Sequence, residues 1–139
     1  MNKELIKNAS YLYVEDTASN RAVMQVLIMK VIGGRNLTMF EDSSNFMERV
    51  KNLPACPDLF ILDIHVQPHD GFEMLRMLRA DPDYRHAKVI AITASVTSEE
   101  VERLRSSGFD GAIGKPVNMS AFPGLIARIL AGESLWSIT

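Results

Sequence analysis

The chain has 139 residues, the length of one compact domain, with 47% apolar and 23% charged residues, enough for a buried core beneath a soluble surface. Fifteen basic and seventeen acidic side chains give a net charge of -2, which excludes the basic footprint that DNA, RNA or an anionic membrane requires. A single cysteine, Cys56, excludes an internal disulfide framework and a Cys-rich zinc site. No apolar run reaches the roughly 18 to 20 residues of a membrane span, and Met1 to Ser10 lack the apolar stretch of a signal peptide. The expectation is a cytoplasmic protein with one domain over 1–139, its core at about 10–131 between short tails.

Short apolar runs rich in β-branched and aromatic residues alternate with helix-period segments. The first run, Tyr11 to Val14, is followed by a helical pattern over Ser19 to Val31 that Gly33-Gly34 stops. The second, Leu37 to Phe40, precedes a helix capped by Ser43 or Ser44, running through Val50 and ending near Pro54. The third, Leu59 to Leu62, is continuously apolar, as in a strand buried on both faces, and leads to a helix over Gly71 to Ala80. The fourth, Val89 to Thr93, leads through Thr97 or Ser98, with Glu99 and Glu100, into a helix that Gly108 ends. The fifth, Gly111 to Ile113, precedes a helix from Asn118 or Ser120 to Leu130, with Pro123 in its first turn and Gly132 after its end. Five βα units predict an α/β fold: a flavodoxin-like doubly wound parallel sheet of order 2-1-3-4-5. In the short tail beyond, Trp136 and Ile138 are candidates for docking on the body or on a partner.

In such sheets the ligand crevice lies outside the carboxyl ends of the strands. Those ends carry Glu15-Asp16, Asp63, Thr93 and Lys115. Alone, each has an ordinary explanation as a cap or turn; together they form a chemically consistent set. Two carboxylates about 4 Å apart repel by roughly 4 kcal/mol at an effective dielectric near 20, so the cluster must take up protons or a cation. Oxygen ligands without sulfur favour Mg²⁺. Metal, lysine and hydroxyl would neutralise the oxygens of a phosphoryl group in transfer, and a carboxylate can accept it as an acyl phosphate.

These residues resemble the receiver domain of two-component response regulators over about Ser10 to Leu130, in particular single-domain DivK-like receivers and hybrid-kinase receivers. Tyr13-Val14-Glu15-Asp16, with Asn20-Arg21, is similar to the first strand and its acidic pair. Asp58 to Ile64 resembles the phosphoacceptor strand, with Pro68 and Gly71 at the family's spacing. Val89 to Ala94, Gly108 to Gly111 and Gly114-Lys115-Pro116 complete the set. The resemblance implies that Asp63 accepts phosphate, and that Asp16, Asp63 and the backbone carbonyl of His65 hold Mg²⁺, with Glu15 acting mainly through water. It further implies that Thr93 and Lys115 contact the phosphoryl group, and that Lys115-Pro116 is cis. The implied phosphoprotein is a regulator in a phosphorelay, not an enzyme beyond its own phosphoryl transfer and dephosphorylation. Its implied partners are a sensor histidine kinase or histidine phosphotransfer protein, and a downstream effector met by the fourth helix, fifth strand and fifth helix of the βα series. No nucleic acid or membrane contact is implied, and no output domain follows within these residues.

Two positions depart from the family. Ala112 stands where an aromatic usually reports phosphorylation, so the space beside it is expected to hold another side chain. His65 stands where many relatives carry Met, overlooking the pocket. The alternatives are a phosphorylation-independent scaffold, or a Mg²⁺-dependent aspartyl phosphatase. The phosphatase usually has a second acid where His65 stands. His65 and His69 form a weak metal pair, because Pro68 lies between them; the arginines of the helices, Arg76, Arg79, Arg103 and Arg105, read as solvated faces, as does Arg85.

Overall fold

The computed structural model describes residues 3–95 and 97–137. The strands are β1 (Ser10–Val14), β2 (Asn36–Phe40), β3 (Leu59–Asp63), β4 (Val89–Thr93), β5 (Gly111–Gly114) and β6 (Leu135–Ser137). The helices are α1 (Lys3–Asn8), α2 (Ala18–Val26, continued by a π-helical stretch Leu27–Ile32), α3 (Phe46–Lys51), α4 (Gly71–Ala80), α5 (Ser98–Ser107) and α6 (Phe122–Leu130). All strand pairs are parallel, and the order is β2-β1-β3-β4-β5-β6. The expected flavodoxin-like order is present and extended by one strand.

The period-2 alternation of the strands explains the two layers of helices. Leu12, Val14, Phe60, Leu62, Val89, Ala91 and Ala112 face α3, α4 and α5. Tyr11, Tyr13, Leu59, Ile61, Ile90, Ile92 and Ile113 face α1, α2 and α6. The central strands β3 and β4 are buried at every residue, as their unbroken apolar runs predict.

The flanks expected to be tails carry elements of their own. Ile6 of α1 joins the second core layer, and Tyr11 donates a hydrogen bond to the Ile6 carbonyl at 2.6 Å. A six-residue amphipathic turn is too short for a periodicity argument to detect. Trp136 docks on the body through β6; Ile138 lies outside the described residues.

Side chains cap two of the helices, Thr97 as its spacing to Glu100 predicts and Asp70 at a start the sequence pattern does not mark. Asp70 and Glu73 form a capping box at α4, and the Thr97 hydroxyl accepts from the Glu100 N–H at 3.2 Å at α5. Neither Ser43 nor Ser44 caps α3; Asn45, at φ +49, precedes it without a side-chain cap bond. Ser43 is buried instead. Its hydroxyl donates to the His69 carbonyl at 2.6 Å and accepts from the His69 N–H at 2.7 Å, tying the loop after β2 to the loop after β3. α6 starts at Phe122, because the Asn118 side chain accepts from the N–H groups of Ser120 and Ala121 and closes a separate turn first.

Arg79 is a brace and not a solvated face. Its guanidinium donates to the carbonyls of Arg85 (3.2 Å), Ala87 (2.6 Å) and Gly108 (3.2 Å), and to Asp110 (3.1 Å). Asp110 also accepts from the Val89 N–H at 2.8 Å, so one ion pair joins the end of α4 to the starts of β4 and β5.

Candidate functional site

Parallel strands deliver their last residues to one edge, and here that edge gathers Glu15, Asp63, Thr93 and Lys115. Glu15 follows β1; Asp63 and Thr93 end β3 and β4; Lys115 follows β5. Register does the alignment: Asp63 lies opposite Ile92, and Thr93 lies opposite Gly114. The Lys115 N–H also donates to the Thr93 carbonyl at 2.9 Å. The Lys115-Pro116 bond is cis, as expected, and so is Gln67-Pro68.

Lys115 is the centre of the cluster. Its ammonium donates to Glu15 Oε1 at 2.7 Å and to Asp63 Oδ2, bridging two buried carboxylates that are 1% and 4% exposed. Asp63 Oδ1 accepts from the His65 N–H at 2.7 Å, which fixes the carboxyl plane. Glu15 is held more fully. Oε1 also accepts from the Tyr13 hydroxyl at 2.9 Å and from Asn20 Nδ2 at 3.2 Å, while Oε2 accepts from the Thr17 N–H at 3.2 Å. Arg21 donates to the Glu15 carbonyl at 2.8 Å. Asp16 is exposed and accepts from the Thr17 hydroxyl at 3.3 Å. Thr93 is buried, and its hydroxyl oxygen accepts from the Ser95 N–H at 3.0 Å, leaving its own proton free to donate.

These contacts drive the two carboxyls apart in acidity. Burial pushes Glu15 up, but hydrogen bonds from Asp63, Lys115, Tyr13 and the Thr17 N–H outweigh it and bring Glu15 down to about 2. Burial also pushes Asp63 up, Glu15 adds to the rise, and Lys115 and the His65 N–H offset it only in part. Asp63 is therefore the site that holds a shared proton more readily. Burial lowers Lys115, but the two carboxylates more than reverse this and raise it.

Tyr13 is the site residue that sequence reasoning missed. The signal is in the spacing: positions 13 and 15 share one side of an extended chain, so a tyrosine two residues before an acid can donate to it. His65 is exposed at the rim, and His69 turns toward Glu73 (3.6 Å) and not toward His65, so the two do not act as a metal pair. Cys56 is an exposed loop thiol.

The family model for the response regulator receiver domain matches residues 11–127. The polar-differentiation response regulator DivK of Brucella ovis is 36% identical over 66 residues, which is 48% of this chain and 54% of that protein; DivK of Brucella suis matches to the same extent. The chain thus spans about half the length of these curated relatives. Among solved structures, the receiver domain of a signal transduction histidine kinase from Syntrophus aciditrophicus is 24% identical, with a TM-score of 0.76 over 89% of this chain and 91% of that one. The receiver domain of a sensor histidine kinase from Pseudomonas aeruginosa PAO1, described with a magnesium ion coordinated in its active site cleft, is 22% identical, with a TM-score of 0.77 over 90% and 99%. At these identities the two structures bear on the fold. The family match over 117 of 139 positions (11 to 127) carries the assignment: this chain belongs to the response regulator receiver domain family.

Proposed function

We propose that this receiver takes a phosphoryl group from a phosphohistidine onto Asp63 and changes its affinity for a partner protein in response. The observation that supports it most is the Lys115 bridge between Glu15 and Asp63 at the carboxyl edge of the sheet. A structural ion pair needs one acid; here one lysine serves two buried acids, and Asp16 follows Glu15 directly in the chain.

In the transfer, an oxygen of Asp63 attacks phosphorus, and the bond from phosphorus to the donor imidazole nitrogen breaks with its electron pair staying on the imidazole. Lys115 keeps a positive charge beside the new phosphoryl oxygens. Thr93 donates its free hydroxyl proton to one of them. The residues fit a hard cation: the donors are all oxygen, and the carboxylates outnumber the lysine. Among the described residues no three His, Cys, Asp or Glu groups already converge on one point. By the family resemblance, the carboxylates of Asp16 and Asp63 with the His65 carbonyl would hold the ion, and Glu15, whose oxygens already accept four hydrogen bonds, would act mainly through water. Magnesium, when bound, supplies positive charge to the phosphoryl oxygens.

A donor protein would approach over the exposed Val23, Val26, Met29 and Met119. A groove of about 140 Å³ there runs from Val23 and Leu27 to Lys115 and Pro116. The effector face expected on helix, strand and helix is in this chain α5, β6 and α6, because β6 covers the β5 edge. The activity is regulatory, and the protein catalyses only its own phosphorylation and dephosphorylation.

Incubation with Mg²⁺ and acetyl phosphate, read by intact mass, tests this. The expected result is a gain of about 80 Da in the wild type that is absent in Asp63→Asn. No gain in the wild type supports the scaffold, and steady hydrolysis of varied phosphate esters supports the phosphatase.

A further inference from the structure

The space beside Ala112 is occupied by Trp136. In the β5–β6 register Ala112 lies opposite Trp136, so both side chains face the layer of α3, α4 and α5, and Trp136 packs half-buried on that core. Two small residues on β5 make the seat. A methyl group on Gly111 would stand 2.5 Å from the Leu135 carbonyl oxygen, so β6 can pair this closely only with glycine there. Ala112 then leaves room above itself for the indole. On the far side, the Arg105 guanidinium of α5 lies 5.2 Å from the indole ring centre.

Both elements that meet at Trp136 are lightly held. In α5 only Leu104 is fully buried, and β6 pairs over three residues at the edge of the sheet. α5 also hangs from the pocket. It begins five residues after Thr93, whose hydroxyl holds the Ser95 N–H of the intervening loop. If Thr93 rotates about its Cα–Cβ bond to bring that proton to a phosphoryl oxygen, its hydroxyl oxygen moves off the Ser95 N–H and the loop leading to α5 is released.

We propose that β6 is a latch on the β5 edge: Trp136 is seated against Ala112 and Arg105 while Asp63 is unmodified, and phosphoryl loading moves α5 and unseats it. The proposal rests on the phosphoacceptor reading above. It moves the coupling aromatic from the strand of the lysine to the neighbouring strand, and it makes the edge of β5 the surface that is uncovered.

Trp136 is the single tryptophan of the chain, so its fluorescence reports the latch directly. Full-length protein would be measured with Mg²⁺ alone and with Mg²⁺ plus beryllofluoride, with acrylamide as quencher. The expected result is red-shifted emission and an increase of about twofold in the quenching constant on beryllofluoride addition, as the seated population falls. Asp63→Asn should not respond. Gly111→Ala should be red-shifted and quenchable from the start and gain nothing further, while still taking up the acetyl phosphate mass. Should Gly111→Ala not fold, Arg105→Ala, altered on an exposed helix position, should show the same raised starting value. An unchanged wild-type signal in protein that does gain the phosphoryl mass overturns the latch and leaves the receiver reading standing. Absence of the mass gain removes both.

Discussion

Lys115→Met should lower the unfolding free energy by about 3 kcal/mol at pH 7, because it leaves two buried carboxylates without their shared cation. Glu15 keeps Tyr13, Asn20 and the Thr17 N–H, and Asp63 keeps the His65 N–H, but none of these carries a charge. In an Asp63→Asn background the same change should cost roughly 1 kcal/mol, since only Glu15 is then left unpaired and its other donors remain. Asp63→Asn by itself should be stabilising by about 1 kcal/mol, the size usual when a functional site is relieved of its crowding. Denaturant melts of the four proteins close the cycle, and additive effects would contradict the bridge.

The pH dependence separates the two acids. Folding holds Glu15 near 2, below its ordinary 4.5, so its contribution is present above 4.5 and lost as pH falls toward 2. Asp63 is raised, so the sign reverses: its proton favours the fold below 3.8, and that contribution is lost as pH rises through the folded-state value. The stability advantage of Asp63→Asn should therefore be seen at neutral pH and fade below 3.8, where the wild-type carboxyl is protonated in both states.

Arg79→Ala should cost about 2 kcal/mol, although arginine on a short helix is usually a solvent-facing residue. The loss comes from three carbonyls and Asp110, which one planar fork satisfies together. Arg79→Lys should recover only a minor part, because an ammonium cannot reach four acceptors with the geometry of a guanidinium. Equal stability of the Ala and Lys variants to the wild type, measured by thermal melting, would show that the contacts are surface decoration.

How much of this was legible follows from what kind of signal each residue sends. Strand runs such as Leu59 to Leu62 and Val89 to Ile92 announce themselves, because burial on both faces leaves no polar position. The pocket was legible for the same reason: strand ends are fixed by the runs, and parallel pairing forces Glu15, Asp63, Thr93 and Lys115 to one edge. Arg79 was not, since a helical arginine reads as solvated until the loops that offer it carbonyls are folded. Ser43 looked like a cap because serine before a helix usually is one, yet its partner, His69, is 26 residues away. β6 escaped because three residues carry no period. Its trace lay elsewhere, in the pairing of Gly111 and Ala112 with a strand that needed their small size.

Asp63 is where the phosphoryl group should be found. Borohydride reduction of acetyl phosphate-treated protein converts an aspartyl phosphate to homoserine, and peptide mapping then locates it. Homoserine should appear at position 63, and only when Mg²⁺ is present. Homoserine at Asp16 or elsewhere, or none in protein that has gained the phosphoryl mass, would contradict it.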